Sequence, residues 1–217
     1  MTAIADGKRH VGLYFGSFNP IHMGHLVIAN HMATRTDLEE VWLVVTPQSP
    51  HKLRGDLIAQ HHRLQMVRLA IADNERLQAS DVEFHLPQPN FTAATMRYLR
   101  AEHPDCTFSI IIGEDNFQTL HKWQDYWELV DNHRVLVYPR RELKPLPAAP
   151  PPFDASQPRQ GQPVPADHDN VQFCEAPMIS ISSTYLREAI VSRRDIRYLL
   201  PDKVLNYIGS NHLYEGD

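Results

Sequence analysis

The chain has 217 residues, 42% of them hydrophobic and 22% charged, length enough for one well-buried globular domain or a domain with a small extension. A net charge of −5 argues against a surface built for nucleic acid while leaving local phosphate-binding groups open. No apolar run is long enough to span a bilayer, residues 1–10 lack a signal-peptide core, and Cys106 and Cys174 make no disulfide framework, so a reduced, cytoplasmic protein with no membrane partner is expected.

Residues 11–15 are a short apolar run closed by Gly16, the pattern of a buried strand. Leu26, Ala29 and Met32 recur at helical spacing and place a helix over 22–32. Residues 41–45 read as a second strand, ended by Thr46-Pro47. Residues 57–72, with Leu64, Val67, Leu69 and Ile71, read as an amphipathic helix. A third strand is expected over 77–84 and a third helix over 91–101. Residues 107–112 are the clearest central strand, closed by Gly113. A fifth strand follows over 134–138 and a sixth over 171–174, and helices over 183–192 and 202–208 finish the chain.

This alternation predicts an α/β fold, a Rossmann-like doubly wound parallel sheet with C-terminal helices, in a single domain over residues 1–217. In such sheets ligands bind at the carboxyl ends of strands, so the loops after the first, second and fourth strands are where chemistry is expected. Residues 139–165 hold nine of the 17 prolines. They read as a mobile excursion that is neither helix nor interior strand.

The segment Gly16-Ser17-Phe18-Asn19-Pro20-Ile21-His22-Met23-Gly24-His25 joins the first strand to the first helix. Gly16 lets a phosphate approach the backbone, and Asn19-Pro20 turns the chain into a helix start with free N–H groups. His22 and His25, three residues apart, project from one face of that first turn. The arrangement suits a phosphoryl group whose charge redistributes during transfer. Zinc is the competing reading of His-x-x-His, but it lacks a third ligand in the sequence. Near the other end, Ile181-Ser182-Ser183-Thr184-Tyr185-Leu186-Arg187 starts a helix. Its hydroxyls are ordinary caps that can also bind phosphate, with Arg187 one turn inside.

These two segments resemble the two signatures of the His-x-Gly-His nucleotidyltransferases. Between them, Thr46-Pro47-Gln48-Ser49-Pro50-His51-Lys52, Pro89-Asn90-Phe91-Thr92 and Ile111-Ile112-Gly113-Glu114-Asp115-Asn116 followed by Trp123 are similar to the nicotinate-mononucleotide adenylyltransferases in particular. Order and spacing match from Val11 to about Arg194, apart from the proline-rich excursion, which is long for that family. Many members carry Ser-Tyr-Thr where this chain has Asn90-Phe91-Thr92.

The resemblance implies roles. His22 and His25 would contact the ATP phosphates and stabilise the transition state, within a loop formed by Gly16, Ser17 and Phe18. Lys52 would bind phosphate, and Ser183, Thr184 and Arg187 would hold the β and γ phosphates. Gly113 and Asp115 would sit by the ATP ribose. Trp123 would stack on the pyridine ring, with Thr92 beside its carboxylate. The implied reaction transfers AMP from ATP to nicotinate mononucleotide, giving deamido-NAD (nicotinate adenine dinucleotide) and pyrophosphate in NAD biosynthesis. The attacking 5′-phosphate is already ionised, so no general base is needed. The two histidines act either as cations or as hydrogen-bond donors. Mg²⁺ is expected to bridge the phosphates, with no protein ligand assigned. The alternatives are transfer to pantetheine phosphate and a catalytically inactive nucleotide-binding regulator. A homo-oligomer is compatible with the sequence.

Overall fold

The computed structural model describes residues 7–47, 57–140 and 153–215. Six strands, β1 (Arg9–Gly16), β2 (Glu40–Val45), β3 (Leu77–Ser80), β4 (Cys106–Gly113), β5 (Val135–Tyr138) and β6 (Val171–Phe173), form one sheet in the order β3-β2-β1-β4-β5-β6. Every neighbouring pair is parallel. The helices are α1 (Met23–Arg35), α2 (Gln60–Ala70), α3 (Thr92–Glu102), α4 (Glu114–Thr119), α5 (Tyr126–Asn132), α6 (Ser183–Val191) and α7 (Asp202–Ser210). This is the doubly wound arrangement, and the strand order reverses between β1 and β4.

The strands are apolar on both sides because both faces of the sheet are covered. Val11 and Leu13 of β1 and Ile110 and Ile112 of β4 join one core cluster with α3 and α5. Tyr14 and Ile111 join the other, with α1, α2, α6 and α7. All six residues of β2 are buried, which is why its sequence shows no alternation.

Three local differences from the sequence pattern matter for the site. The third strand stops at Ser80, and a 3-10 turn over Val82–Phe84 follows it. That turn sends Glu83 inward, where its Oε1 accepts a 2.9 Å hydrogen bond from the Thr95 hydroxyl. The helix expected over 57–72 begins at Gln60. Helices α4 and α5 were not anticipated, because six and seven residues are too few for a helical period to stand out. The described part of the proline-rich excursion, 153–165, contains neither helix nor strand.

Candidate active site

A cavity of about 1000 Å³ opens at the carboxyl ends of β1 and β4, where the strand order reverses. It gathers every sequence-predicted site residue in the described chain except Phe18. Lys52 lies outside the described residues. Among the described residues, six buried side-chain polar atoms have no hydrogen-bond partner. Five of them belong to residues of this cavity: His22 Nδ1, Glu83 Oε2, Asn90 Oδ1, Asp115 Oδ1 and His121 Nδ1. Buried polar groups are nearly always satisfied, so such a concentration marks a surface shaped for a polar ligand.

His22 is the residue immediately before α1, in extended conformation, and His25 sits in the helix's first turn. Their rings stack with centroids 3.7 Å apart and planes 25° off parallel. His25 Nδ1 accepts the backbone N–H of His22 at 3.3 Å, an arrangement that leaves the His25 proton on Nε2. Burial, and then the charge of Arg140, lower the His22 pKa from the ordinary 6.5 to about 4. At neutral pH the His22 ring of the free protein is therefore uncharged. Phe18 lies in the loop after β1 as expected, with its ring in the core, 1% exposed and off the cavity wall. It packs edge-on against His25 at 5.0 Å and so supports that ring from behind.

The second signature closes on the first. Ser182 caps α6, its hydroxyl accepting the N–H of Tyr185 at 3.2 Å. Ser183 Oγ donates to the carbonyl of Pro20 at 2.9 Å, and Arg187 Nη1 donates to that of Asn19 at 2.9 Å. The N-termini of α1 and α6 thus converge on one side of the cavity, which is favourable for anions.

Gly113 ends β4, and a Cβ there would collide with Asp115 Oδ1 and press on the Tyr138 ring. Asp115 Oδ2 pairs with Arg140 Nη1 at 3.2 Å. Tyr14 and Tyr138 join their hydroxyls at 3.1 Å beneath them, and burial raises both phenol pKa values. Thr92 opens α3, and Trp123 follows the 3-10 turn after α4. Both line the same cavity, with Asn90 and His121.

Sequence reading missed Arg63, Glu83, Arg140 and Gln160. Arg63 is 1% exposed and, among the described residues, bonds only to carbonyls: Ser17 at 2.8 Å, Thr46 at 2.6 Å, Pro47 at 2.7 Å and Ile58 at 3.2 Å. It ties the loop after β1 to the loop after β2, and it clasps both flanks of the segment that carries Lys52. Nothing local distinguishes it from the surface charges of an amphipathic helix. Glu83 and Arg140 could have been suspected from their places just after strand ends.

The chain matches the cytidylyltransferase-like family over residues 13–189. It is 43% identical over 205 residues to a probable nicotinate-nucleotide adenylyltransferase of Flavobacterium psychrophilum, covering 94% of this chain and 98% of that one. A probable nicotinate-nucleotide adenylyltransferase of Bacteroides fragilis is 40% identical over 201 residues, 93% of this chain and 92% of its own. The fold is similar to that of the Plasmodium falciparum nicotinic acid mononucleotide adenylyltransferase complexed with NaAD. There the TM-score is 0.73 at 21% identity, covering 96% of this chain and 98% of that one.

Proposed function

Because the chain belongs to the nicotinate-nucleotide adenylyltransferases of the cytidylyltransferase-like family, we propose that its cavity joins the AMP part of ATP to nicotinate mononucleotide. The products are nicotinate adenine dinucleotide and pyrophosphate. The observation that carries this reading is the junction of the two signatures, Ser183 to Pro20 and Arg187 to Asn19, beside the stacked His22 and His25. It supports a triphosphate lying across the N-termini of α1 and α6, with the mononucleotide towards Thr92 and Trp123. Relatives named for the nicotinate reaction over more than nine-tenths of the chain leave pantetheine phosphate the less favoured acceptor.

An ionised oxygen of the mononucleotide's 5′-phosphate attacks the α-phosphorus of ATP. The new Pα–O bond forms as the bond from Pα to the β-bridging oxygen breaks, and the electron pair leaves on pyrophosphate. No proton need be removed from the nucleophile. His22 and His25 donate hydrogen bonds to the phosphoryl oxygens, while Arg187 and the amides of α6 hold the leaving pyrophosphate. Trp123 and Thr92 orient the acceptor. A magnesium ion fits as the companion of the triphosphate. Of the two carboxylates on the cavity wall, Asp115 pairs through Oδ2 with Arg140 and Glu83 accepts through Oε1 from Thr95, while the second oxygen of each has no partner among the described residues. Phosphate oxygens and water would supply most of the magnesium ligands, and the ion's chemistry would be to neutralise phosphate charge.

The test is pyrophosphate release from ATP with nicotinate mononucleotide, nicotinamide mononucleotide or phosphopantetheine, each with and without magnesium. Release with the first acceptor, dependent on magnesium, is expected. A preference for phosphopantetheine would reassign the acceptor end. No release with any acceptor would overturn the reaction.

A further inference from the structure

The reaction as proposed gives residues 153–165 no part, yet they are fastened to the wall of the site. Tyr126, the first residue of α5, is fully buried, and its hydroxyl lies 2.7 Å from the carbonyl of Arg159 and 2.9 Å from that of Gln162. Trp127 Nε1 donates to the same Arg159 carbonyl at 2.6 Å. The Arg159 guanidinium lies 3.7 Å over the Trp127 ring and forms a two-pronged pair with Asp131, at 2.8 and 3.0 Å. Gln162 cross-braces the loop from inside, its amide nitrogen donating to the carbonyls of Asp154 at 2.9 Å and Pro158 at 2.8 Å. Val164 then enters the core cluster of α3 and α5. Three side chains of one helix thus hold in place residues that the sequence marked as a mobile excursion.

Gln160 follows the clasped Arg159 directly, is itself exposed, and lines the reaction cavity. Trp123 and Gln124 line the same cavity and lead directly into α5, the helix that holds Arg159. The fastening therefore brings Gln160 to the Trp123 end of the cavity. An uncharged amide offers two donors and one acceptor, the chemistry for a ribose hydroxyl or a ring carboxylate.

We propose that Gln160 is a specificity-determining contact to the pyridine mononucleotide, and that Tyr126, Trp127 and Asp131 are the positioning residues that deliver it. The inference rests on the reaction proposed above. Residues 153–165 are then a substrate-recognition element of this chain.

Steady-state kinetics of Gln160→Ala and Arg159→Met test it. Arg159→Met keeps the clasped carbonyl but removes both guanidinium contacts. Gln160→Ala should raise KM for nicotinate mononucleotide about five- to tenfold, the effect of one lost hydrogen bond, with KM for ATP and kcat within about twofold. Arg159→Met should shift the same constant in the same direction by less. A purely structural loop would move thermal stability and leave that KM alone. If wild-type protein turns over the mononucleotide and Gln160→Ala leaves its KM unchanged, or raises KM for ATP instead, the inference is wrong and the reaction stands. If wild-type protein releases no pyrophosphate with any mononucleotide, the reaction falls and the inference falls with it.

Discussion

Gly24 packs so closely against His22 that a Cβ on the glycine would come within 3.0 Å of both Cε1 and Nδ1 of the imidazole. The glycine between the two histidines thus makes room for the first ring rather than easing a turn. Alanine is favoured over glycine within a helix by about 1 kcal/mol, so Gly24→Ala should leave the melting temperature unchanged or raise it slightly. The displaced ring should nevertheless lower kcat at least tenfold, since small misplacements of catalytic groups are costly. Calorimetry and kinetics on one preparation check this. A stable variant with full turnover would mean that the His22 position does not matter.

His22 should titrate near pH 4 in the free protein, because burial and Arg140 disfavour its charged form. Its folded pKa is depressed below the unfolded value, so the unfolded chain binds more protons between about pH 6.5 and pH 4. Stability from this residue is fully present above that window and declines as pH falls through it, by on the order of 3 kcal/mol in all. Imidazole NMR signals followed against pH measure the pKa directly. Adding a non-hydrolysable triphosphate should raise it, as nearby negative charge favours the imidazolium. His22→Ala should cut kcat by about 10²–10³, the typical loss for one donor to a developing charge.

Arg63 holds four carbonyls from three segments, and no shorter or uncharged side chain can replace that span. Arg63→Met should destabilise the protein by about 3 kcal/mol or more, since several buried acceptors lose a charged donor together. Arg63→Lys keeps the charge but not the fork of donors. It should fold, and it should show a raised KM for ATP with little change in KM for the mononucleotide. Equal changes in both constants would argue against a role in setting the phosphate loops.

Trp123 is half-buried, packs against the α3–α5 core, and lines the cavity. Stacking of a base-like ring on an aromatic side chain contributes about 1–3 kcal/mol, so Trp123→Ala should raise KM for nicotinate mononucleotide roughly ten- to hundredfold. KM for ATP should change far less. Trp123→Phe should recover part of the loss, which separates stacking from mere filling of space.

The amino-acid sequence by itself determined the strands, apart from the early end of the third at Ser80, and the two signature segments that meet at the cavity. The continuous apolar run before Thr46, the glycine closing each of the two central strands and the His-x-x-His spacing are all relations between near neighbours in the chain. Backbone geometry turns such relations into strands, turns and helix starts whatever lies around them. Helices α4 and α5 escaped because they are too short to display a period.

Tertiary structure decided everything that depends on which distant segments meet. The order β3-β2-β1-β4-β5-β6 places Asn19 and Pro20 against Arg187 and Ser183, and Asp115 against Arg140. It turns Arg63 from one more helix charge into a buried tie between two loops, and sets the ring of the loop residue Phe18 behind His25. It also lowers the His22 pKa, since burial is a property of the packed site and not of the motif. Proline content marked residues 139–165 as an excursion, but only Tyr126, Trp127 and Asp131, which hold Arg159, bring Gln160 to the cavity. Long-range packing sets the environment of each side chain, and that environment fixes its charge, orientation and reach.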